Sequence, residues 1–283
     1  YPNSFLLCDE VGLGKTIEAG LTLSRLGLTG ELETGLLLVP ASLTIQWQEE
    51  LWEKFNIDAV RFDRNSRNEY VFFDAFGREH EPPTITDLES DDNERDEAWV
   101  ESPIWRFLRS RQDTEQPSII IMSWHTARLT DRWNQVAPRD SGTVRTRGDV
   151  PASCRGRNTD NREGVWDAVI VDEAHNARLG SNFYNLLQRL REHTQTYYLL
   201  TATPMQLHSG ELYDLMSLLD LPGSWDQKGA FVDYFETREA LTQTLNRVSE
   251  DDSGSSSSNS WSAQATLEDQ FQDRLPTEKS LSD

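Results

Sequence analysis

Residues 5–21 read FLLCDEVGLGKTIEAGL, and this stretch decides the fold. Its first four residues, Phe5 to Cys8, form a short apolar run of the kind that makes a buried strand. A glycine-rich turn follows, and the segment from Thr16 to Leu26 is apolar on nearly every side. A strand, a glycine-rich turn and a helix in this order form a loop whose backbone N–H groups hold phosphate at the amino end of the helix. The stretch therefore predicts a phosphate-binding α/β domain.

The glycine-rich turn supplies the groups that a nucleotide triphosphate and its metal ion require. Glycines let the backbone approach the phosphates, a lysine reaches the β- and γ-phosphates, and a threonine hydroxyl can bind Mg²⁺. The strict form of the pattern has glycine where this chain has Asp9. We predict that the nucleotide and Mg²⁺ are bound by Gly12, Leu13, Gly14, Lys15 and Thr16.

Four more apolar runs predict the strands of a parallel sheet. None of them alternates apolar with polar residues, so both faces of each strand should be buried. Between two of the runs, Leu43, Trp47, Leu51 and Phe55 recur every four residues, which predicts a helix that lies on the sheet along one apolar stripe. We predict an α/β fold, a mostly parallel sheet with helices on both faces, in which the helix after Lys15 is the more buried one. The runs are Leu36–Val39, Ile119–Met122, Ala168–Val171 and Tyr198–Leu200.

Two carboxylates follow the apolar run that ends at Val171. At the carboxyl edge of a sheet, beside a phosphate loop, Asp172 is placed to bind Mg²⁺ and Glu173 to act as the general base for the attacking water. Such a pair at a strand end is also typical of a helix N-cap. The phosphate loop in the same chain favours the metal and base site, and we expect Lys15 to meet both carboxylates at one nucleotide. Hydroxyl groups after the last run, at Thr201 and beyond, can hydrogen-bond to this acidic site and sense the γ-phosphate.

Composition and charge limit which partners and which cellular location the protein can have. The net charge of −21 opposes binding to nucleic acid at long range. Very high salt would screen that repulsion, and an acidic surface is also typical of proteins adapted to such salt. The two cysteines, Cys8 and Cys154, have no spacing for zinc or for a disulfide framework, so we expect a cytoplasmic protein. No apolar run approaches the roughly 18 to 20 residues that cross a bilayer, so we expect no membrane partner.

The chain is predicted to contain one main domain and a tail. Residues 1–248 carry the α/β pattern with two predicted insertions, one at about 62–117 that contains a heavily acidic stretch with prolines and one at 138–164 that lacks apolar periodicity. Residues 249–283 begin with a serine-rich acidic stretch that is typical of a flexible linker. Because the first residue is Tyr1 and a strand candidate follows at once, we expect a piece of a longer protein.

Six motifs occur in this order: DEVGLGKT, LLLVPASLTIQWQEEL, IIIMSWHTAR, VIVDEAH, LLTATPMQ and ELYDLMSLLDLPGSW. Together they resemble the first motor domain of the superfamily-two helicases, and in detail its Swi/Snf-related branch of DNA translocases. The last two motifs separate this branch from the RNA helicases that the letters DEAH suggest, and the branch often has aspartate at the position of Asp9. The resemblance covers about residues 4–235 and implies a RecA-like P-loop NTPase domain that uses ATP and Mg²⁺.

The resemblance also implies contacts with double-stranded DNA and roles for two polar residues. His175 would couple the metal site to Gln206 or to a second motor domain, although it can also be a capped helix residue. Among the candidate DNA contacts, Ser42 can instead cap a helix and Trp124 can instead pack in the core. The implied DNA contacts are Pro40, Ser42, Ser123, Trp124 and His125.

The function implied by the resemblance is ATP-driven movement along double-stranded DNA. The second motor domain of the family, with its arginine finger, has no counterpart after residue 235, so we expect weak ATP hydrolysis from this chain alone. The alternative is a nucleotide-switched DNA- or protein-binding module without productive hydrolysis. The presence of all the predicted catalytic residues argues against this alternative. The sequence of the first motif resembles that of prokaryotic members that recycle RNA polymerase or serve phage defence. The sequence does not decide between these two roles. The catalytic set is Lys15, Asp172 and Glu173.

Overall fold

The structure is a computed structural model, and the chain divides into two compact units, Tyr1–Pro204 and Met205–Asp283. Three predicted site residues, Gly12, Leu13 and Gln206, lie outside the residues that the structure describes, as does the predicted insertion at 138–164. The described residues are 4–8, 14–82, 102–111, 116–129, 136, 166–192, 194–202, 208–219 and 227–252.

The first unit is built on one sheet, which has eight strands in the described residues, in the order β1-β8-β7-β2-β6-β3-β4-β5. The six strands from β1 to β3 in this order are parallel, whereas β4 and β5 are antiparallel to their neighbours. The strands are β1 Ser4–Cys8, β2 Thr34–Val39, β3 Ala59–Arg64, β4 Tyr70–Phe73, β5 Glu79–His80, β6 Ser118–Ser123, β7 Trp166–Val171 and β8 Thr194–Thr201.

Helices cover both faces of this sheet, as predicted. Leu37, Ile121 and Ile170 share a buried cluster with the two helices that follow β1 and β2. Their chain neighbours point to the opposite face, where the Tyr197 hydroxyl of β8 donates to the Leu187 carbonyl of a later helix. The helices of this unit are α1 Lys15–Leu28, α2 Thr44–Phe55, α3 Pro103–Ser110, α4 Trp124–Ala127 and α5 Asn182–Glu192, with short 3₁₀ turns at Ala41–Leu43 and Ala174–Asn176.

The five predicted apolar runs all form strands, and these strands are parallel to one another. Two details of burial differ from the prediction. Strand β1 lies at the edge of the described sheet, so Phe5 is 46% exposed instead of buried on both faces. Helix α1 is no more buried than α2, since Leu21 is 58% exposed and each helix has four buried residues.

The segment predicted as an insertion at about 62–117 contributes to the sheet. Strand β3 reads AVRFDR, an alternation that suits a strand with one exposed face, and it pairs with β6 through Val60 and Ile120. Strands β4 and β5 add an antiparallel edge, which is common on otherwise parallel sheets. The apolar run criterion therefore missed half-buried strands.

Helices α1 and α2 approach each other closely at Gly20. A Cβ atom built on Gly20 would lie 2.2 to 2.6 Å from three ring atoms of Phe55. A side chain fits at Gly20 only if the Phe55 ring or one of the two helices shifts, because carbon atoms pack at about 3.5–4.0 Å. Helix α2 ends at Phe55, and Asn56 takes the left-handed conformation with φ 54° that commonly follows a helix.

The second unit contains helix α6 (Ser209–Met216), a 3₁₀ turn at Ser217–Leu219 and helix α7 (Lys228–Asp252). Lys228 Nζ lies 2.6 Å from Asp214 Oδ1 and joins the two helices. Helix α7 continues to residue 252, four residues into the predicted linker, while the domain limits themselves stay a prediction. Of the helices in the described ranges, none combines the length and the apolar character that a membrane span needs.

Candidate active site

Helix α1 begins where a phosphate loop would end. Gly14 has φ 100°, in the left-handed region that glycine adopts without strain, and its carbonyl accepts the first helical bond from the Glu18 N–H at 3.0 Å. Lys15 and Thr16 consequently occupy the first turn of α1, close to the carboxyl end of β1. The amino end of this helix carries the partial positive charge that favours phosphate.

The order of the strands assembles the other predicted groups at the same edge of the sheet. Strand β8 lies between β1 and β7, and its last residue, Thr201, pairs with Cys8. On the other side of β7, Val171 pairs with Leu38 of β2. Because parallel strands end at one edge, the start of α1 with Lys15 and the acidic residues after β7 lie at the same edge of the sheet.

Asp172 is a buried carboxylate with two protein donors. Its backbone N–H continues the sheet by donating to the Leu38 carbonyl at 2.9 Å. Oδ1 accepts from the Glu173 backbone N–H at 2.9 Å, and Oδ2 accepts from the Trp47 indole Nε1 at 3.0 Å. The residue is 5% exposed, so these bonds largely fix its orientation.

Electrostatics connects Asp172 with Lys15. Burial raises the pKa of Asp172 above its usual value, the Trp47 hydrogen bond lowers it, the charge of Glu173 raises it, and the Lys15 ammonium lowers it. The Lys15 charge acts on Asp172 only because the fold brings two residues that are far apart in sequence into electrostatic range. Their role as nucleotide and metal ligands stays a prediction.

Glu173 has an unusual backbone conformation. With φ 53° and ψ 44° it occupies the left-handed region, which costs a residue with a side chain on the order of 1–2 kcal/mol. Such conformations are concentrated at functional sites, where surrounding contacts hold them. Here the turn lets the Glu173 N–H reach Asp172 while its carboxylate points to His175, with Oε2 3.2 Å from Nδ1.

His175 joins the acidic pair to the end of strand β8. Its Nδ1 lies 3.0 Å from Thr201 Oγ1, and its Nε2 lies 3.2 Å from the amide nitrogen of Asn176. Since that amide nitrogen can only donate, Nε2 accepts and the ring proton lies on Nδ1, facing Thr201 and Glu173. The predicted hydrogen bond between a strand-end hydroxyl and the acidic site therefore runs through His175.

The candidate DNA contacts lie on two adjacent turns. Val39 of β2 pairs with Ser123 of β6, so the turns after these strands are neighbours. Ser42 is exposed and does not cap α2, whose first residue is preceded by Leu43 without a side-chain cap. His125 is exposed as well, and Pro40 is half-buried.

Trp124 and Ser123 have structural roles instead. Trp124 is 8% exposed and its ring stacks on Phe183 of α5, with centroids 5.0 Å apart. This placement corrects the expectation that Trp124 contacts DNA, because its surface is used in packing. Ser123 is buried, and its hydroxyl accepts from the His125 N–H at 3.2 Å, which caps helix α4.

Trp47 is the site residue that sequence reasoning missed. The four-residue spacing placed it correctly on the buried stripe of α2, where it is 3% exposed. Periodicity cannot show that its N–H meets Asp172. The one available signal was chemical, since a tryptophan on an apolar stripe carries a donor that needs a partner when buried.

The available ligands suit a magnesium ion that arrives with a nucleotide. Over the described ranges, no group of three or more His, Cys, Asp or Glu side chains is placed to bind a metal. Mg²⁺ usually keeps several waters and takes one or two protein ligands together with substrate phosphates. The hydroxyl of Thr16 and the carboxylate of Asp172 are oxygen ligands of that kind.

The chain is similar to one protein family and to named proteins within it. The family model of the SNF2-related domain matches residues 2–258. The RNA polymerase-associated protein RapA of Actinobacillus pleuropneumoniae serotype 3 (strain JL03) is 29% identical over 85% of this chain and 20% of RapA. RapA of Yersinia pestis (strain Pestoides F) is 30% identical over 76% of this chain and 16% of RapA.

Among solved structures, the Sulfolobus solfataricus SWI2/SNF2 ATPase core in complex with dsDNA aligns with a TM-score of 0.46 and 19% identity. The alignment covers 82% of this chain and 35% of that chain. The chain spans about a fifth of the length of the curated relatives it matches.

Proposed function

We propose, because the chain belongs to the SNF2-related domain family, that residues 1–248 form the RecA-like first motor domain of an ATP-driven translocase on double-stranded DNA. The observation that carries the proposal is the sheet order, which brings the start of α1 with Lys15 and the buried Asp172 after β7 to one edge of the sheet. A lysine at a helix start opposite a strand-end carboxylate is the arrangement that P-loop enzymes use for a triphosphate and its metal.

The residues at this edge of the sheet have separate roles in ATP hydrolysis. The Lys15 ammonium binds the β- and γ-phosphates, while Thr16 and Asp172 hold Mg²⁺, which when bound offsets the charge of the phosphate oxygens. Glu173 accepts a proton from the attacking water as the new bond from that oxygen to the γ-phosphorus forms. The bond between the γ-phosphorus and the bridging oxygen breaks, and ADP leaves with the bridging oxygen.

His175 keeps the base in place. Its Nδ1 proton faces the carboxylate of Glu173 and the hydroxyl of Thr201, so movement at the end of β8 reaches the base through one imidazole ring. The second motor domain, from sequence outside residues 1–283, contributes the arginine that stabilises charge in the transition state. An arginine finger is worth about 10³ to 10⁵ in rate in related phosphoryl transfer.

DNA binds along the turns after β2 and β6. Exposed Ser42 and His125, with the backbone N–H groups of these turns, contact the sugar-phosphate backbone without reading base sequence. The net charge of −21 keeps non-specific affinity low. RapA is described as RNA polymerase-associated, and we extend this partner to the full-length protein that contains this chain.

Substitutions in the full-length protein test the proposal. Lys15→Ala should abolish ATP binding, and Glu173→Gln should retain ATP binding but stop DNA-stimulated phosphate release. Binding is measured with a fluorescent ATP analogue and hydrolysis by phosphate release with and without duplex DNA. Lys54→Ala is the matched control, because Lys54 is an exposed lysine that forms an ion pair with Glu50 on the same helix.

The outcomes separate the alternatives. Normal ATP binding by Lys15→Ala would refute the nucleotide site, and normal turnover by Glu173→Gln would remove Glu173 as the base. If ATP changes the affinity for DNA while the unaltered protein releases no phosphate, the nucleotide-switched binding module is the correct function.

A further inference from the structure

Trp47 connects helix α2 to the acidic pair through one hydrogen bond. Its ring belongs to the buried cluster that includes Leu37 and Leu51, and its Nε1 donates to Asp172 Oδ2 at 3.0 Å. We propose that Trp47 is a positioning residue that holds the metal-binding carboxylate of Asp172 in the orientation that Mg²⁺ requires. The inference rests on the proposed function and deepens it by assigning a role to a residue in another motif.

The two donors on Asp172 leave room for a metal ion. A carboxylate has about four acceptor positions, two on each oxygen. Trp47 takes one position on Oδ2 and the Glu173 N–H takes one on Oδ1, and these two bonds, within the part of the chain that the structure describes, leave one position on each oxygen for Mg²⁺ or for a water bound to it. With one fixed donor on each oxygen, the plane of the carboxylate cannot rotate without losing a bond.

The two N–H groups that donate to Asp172 come from different parts of the fold. The Glu173 N–H is local, because it comes from the next residue in the chain. The Trp47 N–H comes from α2, a helix that packs on the face of the sheet where α1 also lies. Helix α1 carries Lys15 and Thr16, so Trp47 ties the carboxylate to the same layer of helices as the phosphate loop. A shift of α2 would therefore move the metal ligand.

A second buried tryptophan provides the comparison. Trp166 begins strand β7, at the end opposite Asp172, and its Nε1 donates to the Val136 carbonyl at 2.7 Å. Trp166→Phe and Trp47→Phe each remove one indole N–H from a buried site and keep an aromatic ring. The two variants differ in the acceptor, which is a carbonyl for Trp166 and a carboxylate for Trp47.

The test measures metal binding in the full-length protein with Mn²⁺ as a spectroscopic substitute for Mg²⁺. Loss of a residue that orients a metal ligand typically weakens metal affinity about 10- to 100-fold. We expect Trp47→Phe to raise the Mn²⁺ concentration needed for half-saturation of the ATP complex by about that factor in electron paramagnetic resonance. Affinity for ATP without metal should stay unchanged, which a general loss of folding would not allow. Trp166→Phe should leave Mn²⁺ affinity unchanged.

Nuclear magnetic resonance tests the hydrogen bond without activity. The indole ¹H–¹⁵N signal of Trp47, assigned by its loss in Trp47→Phe, should shift in Asp172→Asn, while that of Trp166 should not. An unshifted Trp47 signal, or equal Mn²⁺ affinities in the two tryptophan variants, would overturn the inference. If Asp172→Asn binds Mn²⁺ and hydrolyses ATP normally although the signal shifts, the metal assignment of the proposed function fails, and the role of Trp47 fails with it.

Discussion

Replacing Gly20 with alanine would test whether the close contact between α1 and α2 is required. The added Cβ would lie 2.2 Å from Phe55 Cε2, 2.5 Å from Cδ2 and 2.6 Å from Cζ. Carbon atoms pack best at about 3.5–4.0 Å, so the ring or the helix must move by about 1 Å. Because α1 carries Lys15 and α2 carries Trp47, such a movement alters the site as well as the core.

The expected change in stability follows from two opposed terms. Overpacking a core costs about 1–3 kcal/mol. Alanine is favoured over glycine inside a helix by about 1 kcal/mol. Gly20→Ala should therefore lower the free energy of unfolding by about 0–2 kcal/mol. In a Phe55→Ala background the ring atoms that clash are absent, and the same substitution should stabilise the protein by about 1 kcal/mol.

Urea unfolding followed by circular dichroism gives the four free energies of this double-mutant cycle. The coupling between the two positions should be about 1–3 kcal/mol. Gly27→Ala is the control on the same helix, because its added Cβ meets only Pro117 Cγ at 3.8 Å, and it should not destabilise. The reasoning is refuted if Gly20→Ala stabilises the protein as much as Gly27→Ala does, or if Phe55→Ala does not change its effect.

Two further predictions concern a buried carboxylate and a buried hydroxyl. Burial raises the pKa of Asp167 to about 6, although the N–H groups of Glu33 and Thr34 donate to it. A raised pKa means that the stabilising contribution is complete below the unfolded pKa of 3.8 and is lost as the pH rises to and through 6, so stability should fall by about 3 kcal/mol in total from this group, of which roughly 1 kcal/mol falls between pH 5 and 7. Urea unfolding at pH 5, 6 and 7 should show a smaller fall for Asp167→Asn, and an equal fall would contradict the assignment. Thr201→Val removes the hydroxyl next to His175 and should lower DNA-stimulated kcat about 10-fold at unchanged ATP affinity, with recovery in Thr201→Ser; equal kcat values in the valine and serine variants would contradict a role for the hydroxyl.

The parallel part of the fold was predictable because its strands are buried on both faces. Runs such as Ile119–Met122 contain no polar residue, and burial on two faces leaves no other composition. Strand β3 was missed because Arg61 and Asp63 alternate with Val60 and Phe62, and its assignment depends on pairing with β6. The exposure of Phe5 was not predictable either, since position within a sheet is set by topology.

The candidate site was predictable only where chain order fixes position. Residues after parallel strands share one edge of the sheet, which is why Lys15 and Asp172 could be assigned to one site from sequence. The left-handed turn at Glu173 has no glycine to indicate it. The donor from Trp47 and the interior position of Trp124 depend on how helices pack, and a hydrophobic pattern does not encode the direction of an indole N–H.

The β4–β5 hairpin gives the described sheet a short polar edge. An open sheet edge offers unpaired backbone groups to another chain, and long apolar edge strands are the most prone to aggregate by such pairing. Strand β5 is only two residues long, Glu79 and His80, and both are exposed. Asp74 holds the preceding turn by accepting from the backbone of Arg78 and from its guanidinium. The described sheet thus ends on this side in a short polar strand, and such an edge disfavours strand addition by another chain.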